Sequence, residues 1–132
     1  MGDLTGTDIV EHVSVHSFDA TLKGLSNAIT KAGLILFNRV DHQEGAWQAG
    51  LEMPPTTVLT YGHPAAGTPL MRAAPLAALD LPLRVLVHVR EDGRTAIAFH
   101  PVRALLRQAG LPDALAGTLD PAQHILVEAV TA

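Results

Sequence analysis

The sequence predicts an α+β fold, with helices packed on one face of a mostly antiparallel sheet, in a single domain over residues 1–132. Three observations carry this. Strand-like and helix-like segments alternate, but without the repeated strand–helix–strand units that build a parallel sheet. The stretch "PLRVLVHVREDGRTAIAFH" sets Asp92-Gly93 between two apolar runs, the pair a tight hairpin turn demands. A chain of 132 residues with 48% hydrophobic and 17% charged residues is long and apolar enough for one core.

Residues 1–10 read as a flexible N-terminus, 11–111 as the core of the domain and 120–132 as a C-terminal helix. "HVSVHS" alternates and is the first expected strand. In "SFDATLKGLSNAITKAG", Ser17 is the expected N-cap, Asp19 suits the positive helix start, and Gly33 supplies the stop. Leu22, Leu25 and Ile29 form its apolar stripe. "LILFNRVD" is mostly apolar and reads as a central strand. A short helix from about Gln43 to Gly50 carries Trp47, read as core or interface, and Pro54-Pro55 closes it off. "TTVLTYG" is the third strand. A helix over about Pro101–Gln108 stops at Gly110. The last helix reads as a capping box, with Asp120 as cap, Pro121 at the first position and Gln123 at the third. Its stripe is Ala122, Ile125, Leu126, Ala129 and Val130.

If Asp92-Gly93 is a two-residue turn, Glu91 faces Arg94 and the hairpin's faces follow. Val85, Val87, Val89, Ala96, Ala98 and His100 then share a small, dry face suited to helices. Arg84, Leu86, His88, Arg90, Thr95, Ile97 and Phe99 share a mixed face. From it, Arg84, Leu86, His88, Ile97 and Phe99 are the candidates for a subunit interface or a ligand floor.

The loop "GHPAAGT", Gly62 to Thr68, has glycines at the spacing of a phosphate loop. A P-loop needs Lys after the second glycine and then Ser or Thr; here Thr68 and Pro69 stand there, so the cation is missing. The structural alternative uses every residue: Gly62 and Pro64 make the strand exit, and Gly67 takes an unusual backbone angle. Thr68 caps and Pro69 opens a short helix that Pro75 halts. An anion site at the amides of Leu70 and Met71 stays open.

"YGHPAAGTPLMRAAPLAALDLPLRVLV", with "RVDHQEGA" upstream, resembles the two signatures of the domain of unknown function 302 family, over about Val13 to Leu111. The resemblance implies a TATA-binding-protein-like α+β fold with frequent homodimers and no established reaction. It carries no suggestion of DNA binding. The sequence departs from the family pattern at His63, where Asn is usual, and at Ala65, where Lys is usual. "FHPV" replaces Tyr-x-x-Pro, and no His precedes Gly110.

Composition bounds the chemistry. The net charge is −4, with only two lysines and no basic block, which argues against nucleic acid and anionic membranes as partners. The absence of cysteine excludes disulfides, thiolate metal sites and cysteine nucleophiles. "MGDLTGTDIV" has no signal-peptide pattern, Gly6 spoils a myristoylation motif, and no apolar run reaches a membrane span. The expectation is a soluble, cytoplasmic protein.

Seven histidines raise the question of metal. His12 and His16 would lie roughly 13 Å apart on a strand, too far to share an ion. His42 with Asp41 and Glu44 is a better cluster, which His63 could join if the strand ends are neighbours, although Asp41 also serves as a helix cap. His42, His63 or His100 could act as a base beside Asp41 or Asp80. Asp80 reads instead as a structural partner of Arg72 or Arg84. Ser14, Ser17 and Ser26 lie in no nucleophile motif. No metal or cofactor is assigned.

The leading expectation is a homodimeric module that binds a small molecule or partner without catalysis. Its pocket would lie between Arg39–Ala46 and Gly62–Thr68, using Arg39, Asp41, His42, Gly62, His63, Gly67 and Thr68. The alternatives are an enzyme with His42 or His63 as acid–base, and a purely structural or interaction module.

Overall fold

The structure is a computed structural model and describes residues 8–132. The readings placed on Met1 to Thr7 lie outside the described residues. The elements are β1 (Val10–Val13), α1 (Phe18–Lys31), β2 (Ile35–Asp41), α2 (His42–Gln48), β3 (Thr56–Gly62), α3 (Pro64–Ala73), a 3-10 turn (Pro75–Asp80), β4 (Leu83–Val89), β5 (Thr95–Phe99), α4 (Val102–Gln108), α5 (Asp113–Ala116) and α6 (Asp120–Thr131). All pairings are antiparallel, in the order β1-β5-β4-β3-β2. This is the expected α+β architecture.

α1 forms as its sequence dictates. The Ser17 hydroxyl accepts from the Ala20 amide at 3.2 Å, and Gly33 turns the chain at φ 79. Leu22, Leu25 and Ile29 are buried with Leu126 and Val130 of α6 and with Leu59, Val85, Val87 and Ile97 of the sheet. The first strand begins earlier than expected. β1 ends at Val13. The Ser14 amide still donates to the Thr95 carbonyl at 2.8 Å, but its hydroxyl accepts from the His16 amide at 3.1 Å and pairs with Thr21 Oγ1 at 2.7 Å, turning the chain toward α1.

The hairpin differs by one residue from its expected register. Val89 faces Thr95 and Val87 faces Ile97, and the Arg90 amide donates to the Arg94 carbonyl at 2.8 Å. The loop is therefore Glu91-Asp92-Gly93, three residues, with Gly93 at φ 83 as the left-handed member. A one-residue change moves every side chain of one strand to the other face. Ile97 and Phe99 thus belong to the helix-covered face with Val85 and Val87, and Ala96 and Ala98 join Leu86 and His88 on the opposite face. The mixed face loses Ile97 and Phe99 to the core and keeps Arg84, Leu86 and His88. Within the turn, the Arg94 amide donates to the Asp92 carboxylate at 3.0 Å and holds its pKa below the usual value. That contribution is present above the ordinary carboxylate range and is lost as pH falls through the lowered value.

β2 is an edge strand rather than a central one. Its apolar residues mimic a doubly buried strand, yet Ile35, Phe37 and Val40 are 46%, 49% and 39% exposed, and a bulge interrupts the ladder between Leu36 and Asn38. α3 starts at Pro64, with His63 as N-cap, so Thr68 lies inside the helix and does not cap it, and Pro69 is also internal. Pro64 can open the helix because its missing N–H has no intrahelical partner to lose there. Gly67 has no positive φ, and the expected unusual angle is absent. Pro75 does end α3, as expected.

At the last helix, Asp120 and Gln123 do not form a capping box. Asp120 is helical and receives Arg103, at 2.7 Å from Nη2 and 3.1 Å from Nε. A Cβ on Gly117 would overlap that guanidinium, so a larger residue there would displace the Arg103 side chain from its present position. Gln123 is buried: its oxygen accepts from the Val102 amide at 2.9 Å and its nitrogen donates to the His100 carbonyl at 2.8 Å, fastening α6 to the start of α4.

The register is testable. Ile97→Ala should cost about 2–5 kcal/mol of unfolding free energy in urea denaturation. A loss near zero would place Ile97 on the open face and restore the two-residue turn.

Candidate functional site

A cavity of about 860 Å³ opens where three element ends converge. One wall is the start of α3, with Gly62, His63, Pro64, Gly67, Thr68 and Met71. The second is the start of α6 with the residues before it, Leu119, Pro121, Ala122 and Ile125. Ala32, Leu34 and Phe37 close it from the α1–β2 side, and Leu81, Pro82 and Leu83 from the entry to β4. The stripe of α6 positions Ala122 and Ile125 here because Leu126 and Val130, on the adjoining part of the same face, are drawn into the core.

The cavity is apolar. Its polar side chains are His63, Thr68 and Thr118, and the Thr118 hydroxyl already donates to the Leu115 carbonyl at 2.8 Å. No Asp, Glu, Lys or Arg lines it among the described residues. His63 is exposed at the rim and makes no side-chain cap to α3. Gly67 contributes space: a Cβ there would stand 3.7 Å from Leu81 Cδ1 and 3.8 Å from Met71 Cε, ordinary contact distances.

Of the residues expected to bind, Gly62, His63, Gly67 and Thr68 come together here, and Arg39, Asp41 and His42 do not. The reason is topological. β2 and β3 are antiparallel, so Asp41 pairs with Thr57 at the start of β3 while Gly62, at its end, pairs with Ile35. Five residue steps along the strand separate the two ends, roughly 17 Å. His42 and His63 therefore share neither a metal site nor an acid–base pair. Asp41 is the N-cap of α2, its carboxylate accepting from the Glu44 amide at 3.0 Å. Arg39 is exposed opposite Leu59. Asp80 forms no ion pair with Arg72 or Arg84 among the described residues. Sequence reasoning missed Leu34, Phe37, Met71, Pro82 and Leu119; only the α6 stripe gave a signal, and it read as core.

Tyr61, next to Gly62 and facing the cavity-lining Leu83 across β3–β4, is buried with its hydroxyl unpartnered. Burial pushes that hydroxyl's pKa far above its ordinary value.

Residues 10–132 match the family described as Domain of unknown function DUF302. The chain belongs to the DUF302 family. The match runs through α6, so the helix that walls the cavity is part of the family domain. The crystal structure of the uncharacterized conserved protein DUF302 from Bacillus stearothermophilus shares this fold, with a TM-score of 0.83 and 16% identity, covering 92% of this chain and 97% of that one. Two longer relatives are named fluoride-specific ion channels. FluC 1 of Brucella suis biovar 1 (strain 1330) and FluC 1 of Brucella abortus biovar 1 (strain 9-941) are each 38% identical over 93 residues, which is 70% of this chain but 36% and 34% of theirs. This DUF302 chain thus spans about a third of the length of the curated relatives it matches. No helix among the described residues is long and apolar enough to cross a membrane.

An orphaned buried hydroxyl costs about 1–3 kcal/mol. Tyr61→Phe should therefore leave the melting temperature unchanged or raise it. A clear drop would reveal a partner for the hydroxyl.

Proposed function

We propose that this DUF302 domain binds a small, largely apolar molecule with one polar end, in the cavity between α3, α6 and the α1–β2 connection. The observation that carries this is the cavity itself: about 860 Å³, apolar on nearly every side, with His63 and Thr68 at one wall. That volume and lining suit a small-molecule site, in which a few polar groups fix orientation. Binding is favoured over catalysis because an acid–base mechanism would have His63 without a carboxylate to orient it.

We further propose that the domain works as a homodimer through its uncovered sheet face. There Val40, Val58, Leu86 and Ala98 stand in one cross-strand row, flanked by Asn38, Thr60 and Arg84 on one side and Thr56 and His88 on the other. An apolar centre with a polar margin is the anatomy of a subunit contact. Native mass spectrometry of protein purified without added ligand tests both parts. The expected species is a dimer carrying an organic adduct. Gly67→Leu should fill the cavity and abolish the adduct while leaving the fold intact, and Leu86→Asp should give monomers. A wild-type monomer that takes up no adduct from cell extract would sink the proposal.

A second reading rests on the match to the Brucella proteins: the domain serves alongside a fluoride channel. Cells lacking this chain should then grow more poorly at inhibitory fluoride than cells that carry it. Equal growth would count against that role.

A further inference from the structure

At the far end of β3 lies a second concavity of about 780 Å³, between α2 and the segment that leads into β3. α2 buries none of its residues, so burial does not hold it in place. It is instead fixed at both ends. Asp41 caps its start, Gly50 at φ 78 reverses its end, and the Leu51 amide donates to the Ala46 carbonyl at 2.8 Å. Gln43 Nε2 donates to the Met53 carbonyl at 3.1 Å, tying the following segment back to the helix. The result is a preformed groove whose apolar surface is displayed: Trp47 is 72% exposed and Leu51 64%.

The charge around that surface has one sign. Asp41, Glu44 and Glu52 line the groove, and no Lys, Arg or His does so among the described residues. An exposed indole beside three carboxylates selects a cation with an apolar stem, because the ring face attracts the cation and the carboxylates neutralise it. An anionic or neutral occupant would leave this arrangement unused.

We propose that the α2 groove is a docking site for a basic peptide segment of another protein, one Arg or Lys stacking on Trp47 between Glu44 and Glu52 and adjacent apolar side chains covering Leu51 and Met53. The site is independent of the cavity proposed above, which lies at the other end of β3.

Trp47 is the only tryptophan in the chain, so its fluorescence reports on this groove alone. The probe is an acetylated, amidated Leu-Arg-Leu-Arg-Leu peptide, compared with the same peptide carrying Gln for Arg. The expected result is a saturable shift of the emission with the Arg peptide, at least tenfold tighter than with the Gln peptide. A Glu44→Gln, Glu52→Gln double variant should weaken the Arg peptide by about tenfold, as should high salt, with an unchanged far-ultraviolet spectrum. Equal affinity for both peptides, or no saturable shift up to millimolar peptide, would overturn the proposal. So would an emission that moves to the red on dilution of the protein alone, because a second copy would then be the occupant.

Discussion

The rest of the structure depends on the three-residue turn Glu91-Asp92-Gly93. By placing Val89 opposite Thr95, it puts Ile97 and Phe99 on the same side as Val85 and Val87. That side supplies the floor on which α1, α4 and α6 pack, burying Leu25, Ile29, Leu106 and Leu126. Only Gly93, at φ 83, allows the turn to close in this way without strain. One residue fewer in the loop would have presented alanines to the helices and left isoleucine and phenylalanine in water.

What could be read in the sequence was what is local. Ser17, Gly33, Gly110 and the stripes of α1 and α6 act within a turn or two of the residues that announce them, and they stand where the residues put them. The antiparallel α+β class was legible for the same reason, since hairpin signals and short connections are local features. The register of β4 and β5 was not, because Asp-Gly serves both two-residue and three-residue loops. Nor was the edge position of β2, since apolar side chains look alike whether a strand is covered or bare.

The cavity was half legible. Gly62, His63, Gly67 and Thr68 drew notice as a glycine-spaced loop, but their partners come from α6, about fifty residues further on, and no local pattern names that pairing. The contribution expected from Arg39, Asp41 and His42 failed on strand direction alone. Gln123 shows a related limit. Its spacing from Asp120 fits a cap, but burial gave its amide a more valuable task, holding the His100 carbonyl and the Val102 amide together.

The antiparallel pairing of β2 with β3 sends the two concavities of this domain to opposite ends of one strand. Separation on that scale, with no shared side chain, makes their free energies additive. If both concavities bind as proposed, an occupant of one would neither block nor assist an occupant of the other, and affinity at each end of the sheet could be tuned independently.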